Sequence, residues 1–424
     1  MPNNKQNTAY TPLTPQGEVI HLIREWSSKE KQGDKNARQW ASNRIKDFLV
    51  GTDDGTYTLK SQKRSDLTET MHTTHGALTE ARRKFAEPAG LLGKKSVAIL
   101  DICSGLGLNA AATLDNIMDS ESMMVDGLEF LEIDLVEISW ETLAAALIIP
   151  NPSKSHPIIK KAIENYLIHQ GLLIFPAEEK EIPGNVDIRV HCEDARKIIM
   201  KIPENQRYDA VFLDPFSPSR SPELYSKEFL ARVRTLLKED GIILTYTSAA
   251  PVRSALLDAG LEVGEGPAMG RSGGTIASPT QKRIQKSLGD NDERMIALSD
   301  AGIPYRDPDL NLSAEKIIEN RQVERMAQRG VTKMASTVKT PIYLASDGGD
   351  ARQKRRVLKH LERFGIADLN SLKSRFLVCP QFSYCICNCG LEKPSTSRAR
   401  IKYMEKRLEI VANGKFKNDR INNY

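Results

Sequence analysis

The chain has 424 residues, 40% of them hydrophobic and 27% charged, with a formal net charge of +5. That length holds two or three domains, and the balance is that of an ordinary folded protein. No run approaches the ~20 apolar residues of a membrane span, the polar opening MPNNKQNTAYTPLTPQGE has no apolar signal core, and six cysteines are too few for a disulfide scaffold, so a cytoplasmic protein without a membrane partner is expected.

Up to about residue 95 the sequence reads as a helical cap with one extended piece. HLIREWSSKE has helical apolar spacing, and GTYTLKS follows the DDG turn signal as a strand. From Ser96 the pattern changes. SVAILDI is a buried apolar run that leads through a Gly-containing turn into a small-residue helix. The runs LEIDLVEI, VDIRVHC, YDAVFLD and GIILTYT follow, separated by the helical stretches ETLAAALI, EDARKIIMKI and KEFLARVRTLLKED. Continuous apolar strands alternating with helices make a parallel sheet covered on both faces. After the helix PVRSALLDAG, the segments LEVGEGPAM and GGTIAS read as a closing hairpin. The expected fold is therefore α/β, mostly parallel with an antiparallel hairpin at the end, and resembles the Rossmann-like class I methyltransferases, with helical additions at both ends.

Residues 145–185 form a long insertion between two strands, a place where α/β domains often carry a lid or substrate wall. The expected division is an N-terminal cap at 1–95, a catalytic domain at 96–280, a helical extension at 281–348 ending near the strand-like TPIYLA, and a basic, cysteine-containing region at 349–424 reached through SDGGDARQ.

Four acids stand where the strands end. Asp101 precedes the turn Ile102-Cys103-Ser104-Gly105-Leu106-Gly107, whose glycines let backbone approach a ligand. The third glycine of a dinucleotide fingerprint is replaced by Ala110, which that fingerprint permits. Asp101 favours another cofactor: a carboxylate there suits an ammonium group and suits a pyrophosphate poorly, and S-adenosyl-L-methionine has the ammonium. Glu137, ending the next strand, can accept hydrogen bonds from both ribose hydroxyls. Asp194 reads either as an acceptor for the adenine amino group or as a helix N-cap. Asp214 ends the fourth strand in FLDPFSPS, at the face where ligands bind in such sheets. Pro215 and Pro218 stiffen its loop, and Phe216 offers a stacking face. An acid at this place suits an amine nucleophile, which must lose a proton before it attacks.

Several motifs resemble the methyltransferase domain of the MnmC family of tRNA 5-methylaminomethyl-2-thiouridine biosynthesis proteins. They are Glu69-Thr70-Met71-His72 with His75-Gly76-Ala77 and Glu80-Ala81, then LDICSGLGLNA, then FLDPFSPSRSPELYS, then LTYTSAAPVRSALLDAGLEV followed by GPAMGRSGG, in that order over about residues 55–280. The resemblance implies methylation, with S-adenosyl-L-methionine, of the exocyclic amine of 5-aminomethyl-uridine at the tRNA wobble position. It places Asp214 at the amine and Asp101, Gly105, Gly107, Glu137 and Asp194 at the cofactor, with Phe216, His72, Arg253 and Arg271 as substrate-contact candidates. Pro215 stands where the family signature has Gly, and Cys103-Ser104 departs from the usual turn. The remaining residues contain no dinucleotide fingerprint, so no FAD-dependent oxidoreductase half is expected and a separate enzyme would supply the aminomethyl group. Two further readings stay open: an aminopropyltransferase or small-molecule amine methyltransferase of the same fold, and a non-catalytic RNA-binding protein on that fold.

The last 34 residues carry nine Lys/Arg against four acids, the whole formal excess, and ARQKRRVLKHLERFG at 351–365 is a basic helix; such segments favour a phosphate backbone, hence tRNA. Cys379, Cys385, Cys387 and Cys389 are spaced C-x5-C-x-C-x-C. Four thiols suit zinc, but the C-x-C spacing strains chelation of one ion, and no metal is expected.

Overall fold

A computed structural model describes residues 14–60, 76–119, 128–204, 207–269, 272–336 and 351–416. The seven strands of its main sheet are β1 (Ser96–Ile102), β2 (Phe130–Glu137), β3 (Val186–Cys192), β4 (Tyr208–Leu213), β5 (Leu237–Thr245), β6 (Glu262–Met269) and β7 (Ser272–Ser278). Their order across the sheet is β3-β2-β1-β4-β5-β7-β6. The first five are parallel: β1 lies between β2 (Leu100 opposite Asp134) and β4 (Leu100 opposite Val211), β3 adds to β2, and β5 to β4. The sheet is mostly parallel with an antiparallel end, the Rossmann-like methyltransferase arrangement expected from the sequence.

The strands are apolar because they are covered. Ile99, Leu100 and Ile102 of β1, Leu131, Ile133 and Leu135 of β2, and all of Tyr208–Leu213 in β4 are buried. The helix Leu108–Asp119 follows β1 and buries Ala110, Ala111 and Ala112, small residues that let it lie close to its neighbours. The helix Ala77–Ala81 continues into a π-turn at Arg82–Ala86, which packs Phe85 edge-on against Phe212 of β4, ring centroids 5.6 Å apart. Asp54 caps that helix by accepting from the Thr79 amide and hydroxyl, both at 2.8 Å. Although burial opposes ionisation, the hydrogen bonds from Thr56 and Thr79 bring the Asp54 carboxyl down to about 2.

Two details differ from the sequence reading. Lys238–Asp240, read as the tail of a helix, belong to β5, where Leu237 stands opposite Tyr208 and Ile242 opposite Ala210 across an irregularity. An ion-pair set holds this bulge: Lys94 reaches Asp209 (2.7 Å) and Asp240 (3.0 Å), and Lys238 reaches the other Asp209 oxygen (2.7 Å). The insertion at 145–185 carries the helix His156–His169, and that helix is a buttress rather than a lid. His156 Nε2 lies 2.8 Å from the Leu106 carbonyl oxygen, and Ile159 packs against Gly107.

The chain forms two compact units. The first comprises Met1–Leu224, Thr235–Thr247 and Gly266–Gly274; the second comprises Tyr225–Arg234, Ser248–Glu265 and Thr275–Tyr424. In the second, the helices Asp290–Leu298 and Ser397–Ala412 are joined by Arg400, which grips Glu293 (2.6 Å). TPIYLA and the start of SDGGDARQ lie outside the described residues. Among the described residues no helix is long and apolar enough to cross a membrane.

Candidate active site

The turn after β1 is built from alternating left-handed residues: Cys103 (φ 62°), Gly105 (φ 54°) and Gly107 (φ 76°). Gly105 needs glycine for this backbone alone, since a Cβ there would touch only the Cys103 carbonyl oxygen at 3.9 Å; the space beside it is open to a ligand. Gly107 needs it twice over, because a Cβ would also lie 2.6 Å from Ile159 Cγ2. Cys103 holds the same conformation with a side chain, a strained choice of the kind found where a chain is shaped for a ligand. Its amide and that of Ser104 donate to the Val136 carbonyl (2.8 and 3.1 Å), which ties the turn to the end of β2.

The acids gather around this turn. Asp101 is fully buried, and neither carboxylate oxygen has a well-formed hydrogen bond; the hydroxyl of Ser104 is likewise buried without a partner. Burial, and then the charge of Asp214, push the Asp101 carboxyl well above the usual range, partly offset by Asn109 and the Ala110 amide. Glu137 is held at the end of β2 by three backbone donors: Gly105 N–H (3.1 Å), Ile138 N–H (2.9 Å) and Ser139 N–H (3.0 Å). Its carboxyl is raised by burial and pulled back by those amides.

Asp214 follows β4, its amide donating to the Ile102 carbonyl oxygen at 3.2 Å. Asn109, from the first turn of the helix after the glycines, donates to Asp214 Oδ2 at 3.0 Å. Burial raises Asp214 to about 7, with Asn109 and Lys84 opposing and the charge of Glu80 adding. Glu80 is itself buried and paired with Lys84 (2.8 Å). The upstream motif thus bears on the site through Glu80. Phe216 is half-buried in the loop two residues on.

Two assignments change. Asp194 is the N-cap of the helix Ala195–Lys201, accepting from Arg196 N–H at 2.9 Å, and the Arg196 guanidinium pairs with it at 2.8 Å. The capping alternative is what the structure shows. Arg253, a substrate-contact candidate, is instead 2% exposed, with its guanidinium on Thr275 Oγ1 (2.9 Å) and Asp292 (2.6 Å). His72 and Arg271 lie outside the described residues. The four C-terminal cysteines converge against the spacing argument, their Sγ atoms all within 4.8 Å of one another. The sequence reading missed Asn109 and gave Glu80 no role. Asn109 meets Asp214 across 105 positions of sequence, a tertiary contact that no local pattern announces.

The residues present fit S-adenosyl-L-methionine. A fully buried carboxylate at Asp101, met by no well-formed hydrogen bond, is costly unless a cation joins it. Glu137 is held by backbone donors at the end of the next strand, where a ribose would lie. The open side of the Gly105 turn admits a ligand against backbone.

Comparisons with known proteins agree. A family model described as S-adenosyl-L-methionine-dependent methyltransferase matches residues 153–280. The uncharacterised protein MJ0670 of Methanocaldococcus jannaschii is 36% identical over 317 residues, covering 74% of this chain and 83% of that protein. The bifunctional MnmC of Ralstonia nicotianae is 26% identical over 232 residues, 51% of this chain but only 33% of that protein, so the chain spans about a third of the length of this bifunctional relative. The crystal structure of MnmC2 from Aquifex aeolicus superposes with a TM-score of 0.52 at 26% identity, covering 73% of this chain and 99% of that one. With its strand order, its acids at the cofactor turn and these likenesses together, the chain belongs to the family of S-adenosyl-L-methionine-dependent methyltransferases that includes the methyltransferase domain of MnmC.

Proposed function

We propose that the protein methylates the exocyclic amine of 5-aminomethyl-uridine at the wobble position of tRNA. The observation that carries this reading is Asp214: a carboxylate raised to about 7, at the strand end facing the cofactor turn and steadied by Asn109. S-adenosyl-L-methionine supplies the methyl group as a sulfonium. Asp101 would pair with its ammonium, Glu137 would accept from its ribose hydroxyls, and the 193–195 turn would border the adenine, with Asp194 already committed to its cap and to Arg196. Asp214 accepts a hydrogen bond from the incoming amine and turns the nitrogen lone pair toward the methyl carbon. The proton that the amine must lose before it attacks would pass to Asp214 or to water beyond it, which frees the lone pair for the methyl group that bound S-adenosyl-L-methionine would supply. A base near 7 is matched to this work, since a large share is ionised at neutral pH and that share is basic enough to take the proton. Phe216 offers the flat face against which a base extruded from its stack would lie.

The tRNA part of the proposal rests on the family. The basic tail supports it less than its charge suggests. Arg398, Arg400, Lys402 and Arg407 are engaged within the second unit, by the Gly260 carbonyl (3.1 Å), Glu293 (2.6 Å), Asp258 (2.9 Å) and the Phe376 carbonyl (2.6 Å). The helix Ala351–Leu361 buries Val357 and Leu361 and leaves Arg352, Arg355 and Lys359 exposed, which makes it the better candidate for phosphates. The aminomethyl group would come from a separate enzyme. Labelled methyl transfer tests the proposal: incorporation into tRNA bearing 5-aminomethyl-uridine, and none into the same tRNA without it, is expected. Equal labelling of both, or labelling only of free polyamines, would overturn it.

A further inference from the structure

The methyl transfer proposed above uses none of the C-terminal cysteines, yet their sulfurs converge. Cys379 ends the helix Leu372–Val378, and Cys385, Cys387 and Cys389 come from the loop that follows. Cys379, Cys387 and Cys389 are buried. All four Sγ atoms lie within 4.8 Å of one another, with Cys379–Cys385 at 4.0 Å and Cys385–Cys389 at 3.7 Å. We propose that Cys379, Cys385, Cys387 and Cys389 together bind one zinc ion in a closed structural site.

Geometry favours a single ion. Four sulfurs at ~2.3 Å from one zinc form a tetrahedron with edges of about 3.8 Å, close to the separations seen. A multi-iron cluster holds its thiolates farther apart, because metal–metal spacing is added between them. All four positions come from protein, so no coordination site is left for a water or a substrate. That is the pattern of structural rather than catalytic zinc, and thiolate softness selects this metal over magnesium or calcium.

The C-x-C-x-C spacing closes on one point because of the backbone. Asn388 (φ 59°) and Gly390 (φ 63°) are left-handed, so the chain reverses on either side of Cys389 instead of running extended with alternate side chains on opposite faces. Asparagine and glycine are the residues that take this conformation at least cost.

The surroundings fit the charge such a site would have. Zinc with four thiolates carries a net charge of minus two, and two cations face the sulfurs. Lys393 Nζ is 2.8 Å from Cys379 Sγ, and Arg407 lies 3.3 Å from Cys389 Sγ and 3.8 Å from Cys387 Sγ. The Ile386 amide points at Cys379 Sγ (3.5 Å). Such N–H···S contacts orient thiolate ligands as outer-shell partners do in known metal sites. Arg407 is 5% exposed and also donates to the Phe376 carbonyl at 2.6 Å. The ion would therefore fasten the Cys379–Cys389 loop and the helix Leu372–Val378 to the helix Ser397–Ala412.

The test uses the full chain. Elemental analysis of protein purified without added chelator should give about one zinc per chain. Replacement by cobalt(II) should give the sulfur-to-metal charge-transfer band and intense visible bands of a tetrahedral four-thiolate site. Cys385→Ser changes the least buried of the four, and should weaken metal binding by at least about tenfold. Cofactor binding in that variant, measured by calorimetry, should stay within about twofold, which separates loss of the metal from loss of the fold and from failure of the methyltransferase reading. Folded protein that retains S-adenosyl-L-methionine binding but takes up neither zinc nor cobalt would overturn the proposal. So would a disulfide between these cysteines, bound iron, or a Cys385→Ser variant with undiminished metal affinity.

Discussion

Replacing Asp214 by Asn tests the proposed chemistry and the environment that tunes it. The exchange keeps size and shape, and Asn109 can turn its amide to present oxygen to the new NH2, so the 3.0 Å contact survives. What disappears is a group able to accept the amine proton. General-base assistance is worth about 10²–10⁴ in rate, or about 3–5 kcal/mol, and kcat should fall by that amount. Cofactor affinity should hold or tighten slightly, because the Asp214 charge opposes ionisation of Asp101. If the ionised form of Asp214 is the active one, its titration adds an acid limb to kcat/KM that falls as pH drops through about 7; a bound sulfonium favours the carboxylate and draws that limb lower. Stability gives an independent reading. An acid raised from 3.8 to about 7 on folding leaves stability intact below pH 4 and erodes it as pH rises toward 7. Asp214→Asn should therefore be no more stable than the parent at pH 4 and more stable at pH 8, by on the order of a few kcal/mol. Single-turnover methyl transfer and thermal melts at the two pH values are the assays. A variant that loses cofactor binding, or is equally destabilised at both pH values, would refute a base role for Asp214.

Other expectations follow from single contacts. Gly107→Ala sets a Cβ 2.6 Å from Ile159 Cγ2 at a left-handed backbone position, and should cost about 1–3 kcal/mol of stability and weaken cofactor binding; Ile159→Ala in the same chain should recover only the steric part in calorimetry. Because Asp101 must be ionised to hold an ammonium and its carboxyl is raised, S-adenosyl-L-methionine affinity should fall as pH is lowered, and Asp101→Asn should both weaken binding and remove that pH dependence; an unchanged slope in the titration would assign it elsewhere. Charge reversal of Arg355 and Lys359, both exposed on the helix Ala351–Leu361, should weaken tRNA binding and lower the slope of log affinity against log salt by about two, whereas an unaltered slope would mean that the helix faces only water.

The strands and the acids at their ends were legible because burial writes itself into sequence. Leu100 and Phe212 sit in fully covered parallel strands, so their segments are largely apolar, and an acid at the carboxyl end of such a segment is conspicuous. That is how Asp101, Glu137 and Asp214 stand out, and all three lie at neighbouring strand ends around the glycine turn. What depends on side chains meeting across the fold was not legible. Nothing local marks Asn109 as the partner of Asp214, or His156 and Ile159 as the support of the cofactor turn. Arg253 is equally silent: a lone arginine in a helix reads as exposed, and its burial makes sense once Thr275 and Asp292 are seen beside it. Net charge misled in the same way, since the tail's cations look free until Glu293 and Asp258 are seen beside them. Lys238–Asp240 continued a helical pattern, yet tertiary pairing with Lys94 and Asp209 draws them into β5. The cysteines converge through left-handed backbone at Asn388, a property that spacing rules do not contain.

Nucleoside mass spectrometry after incubation of the full chain with S-adenosyl-L-methionine and tRNA carrying 5-aminomethyl-uridine bears most directly on what Asp214 is for. The expected result is a single added methyl on the amine of that nucleoside at the wobble position, absent with Asp214→Asn. A methyl on a ring atom, on ribose, on another nucleoside, or on none while cofactor still binds, would contradict it.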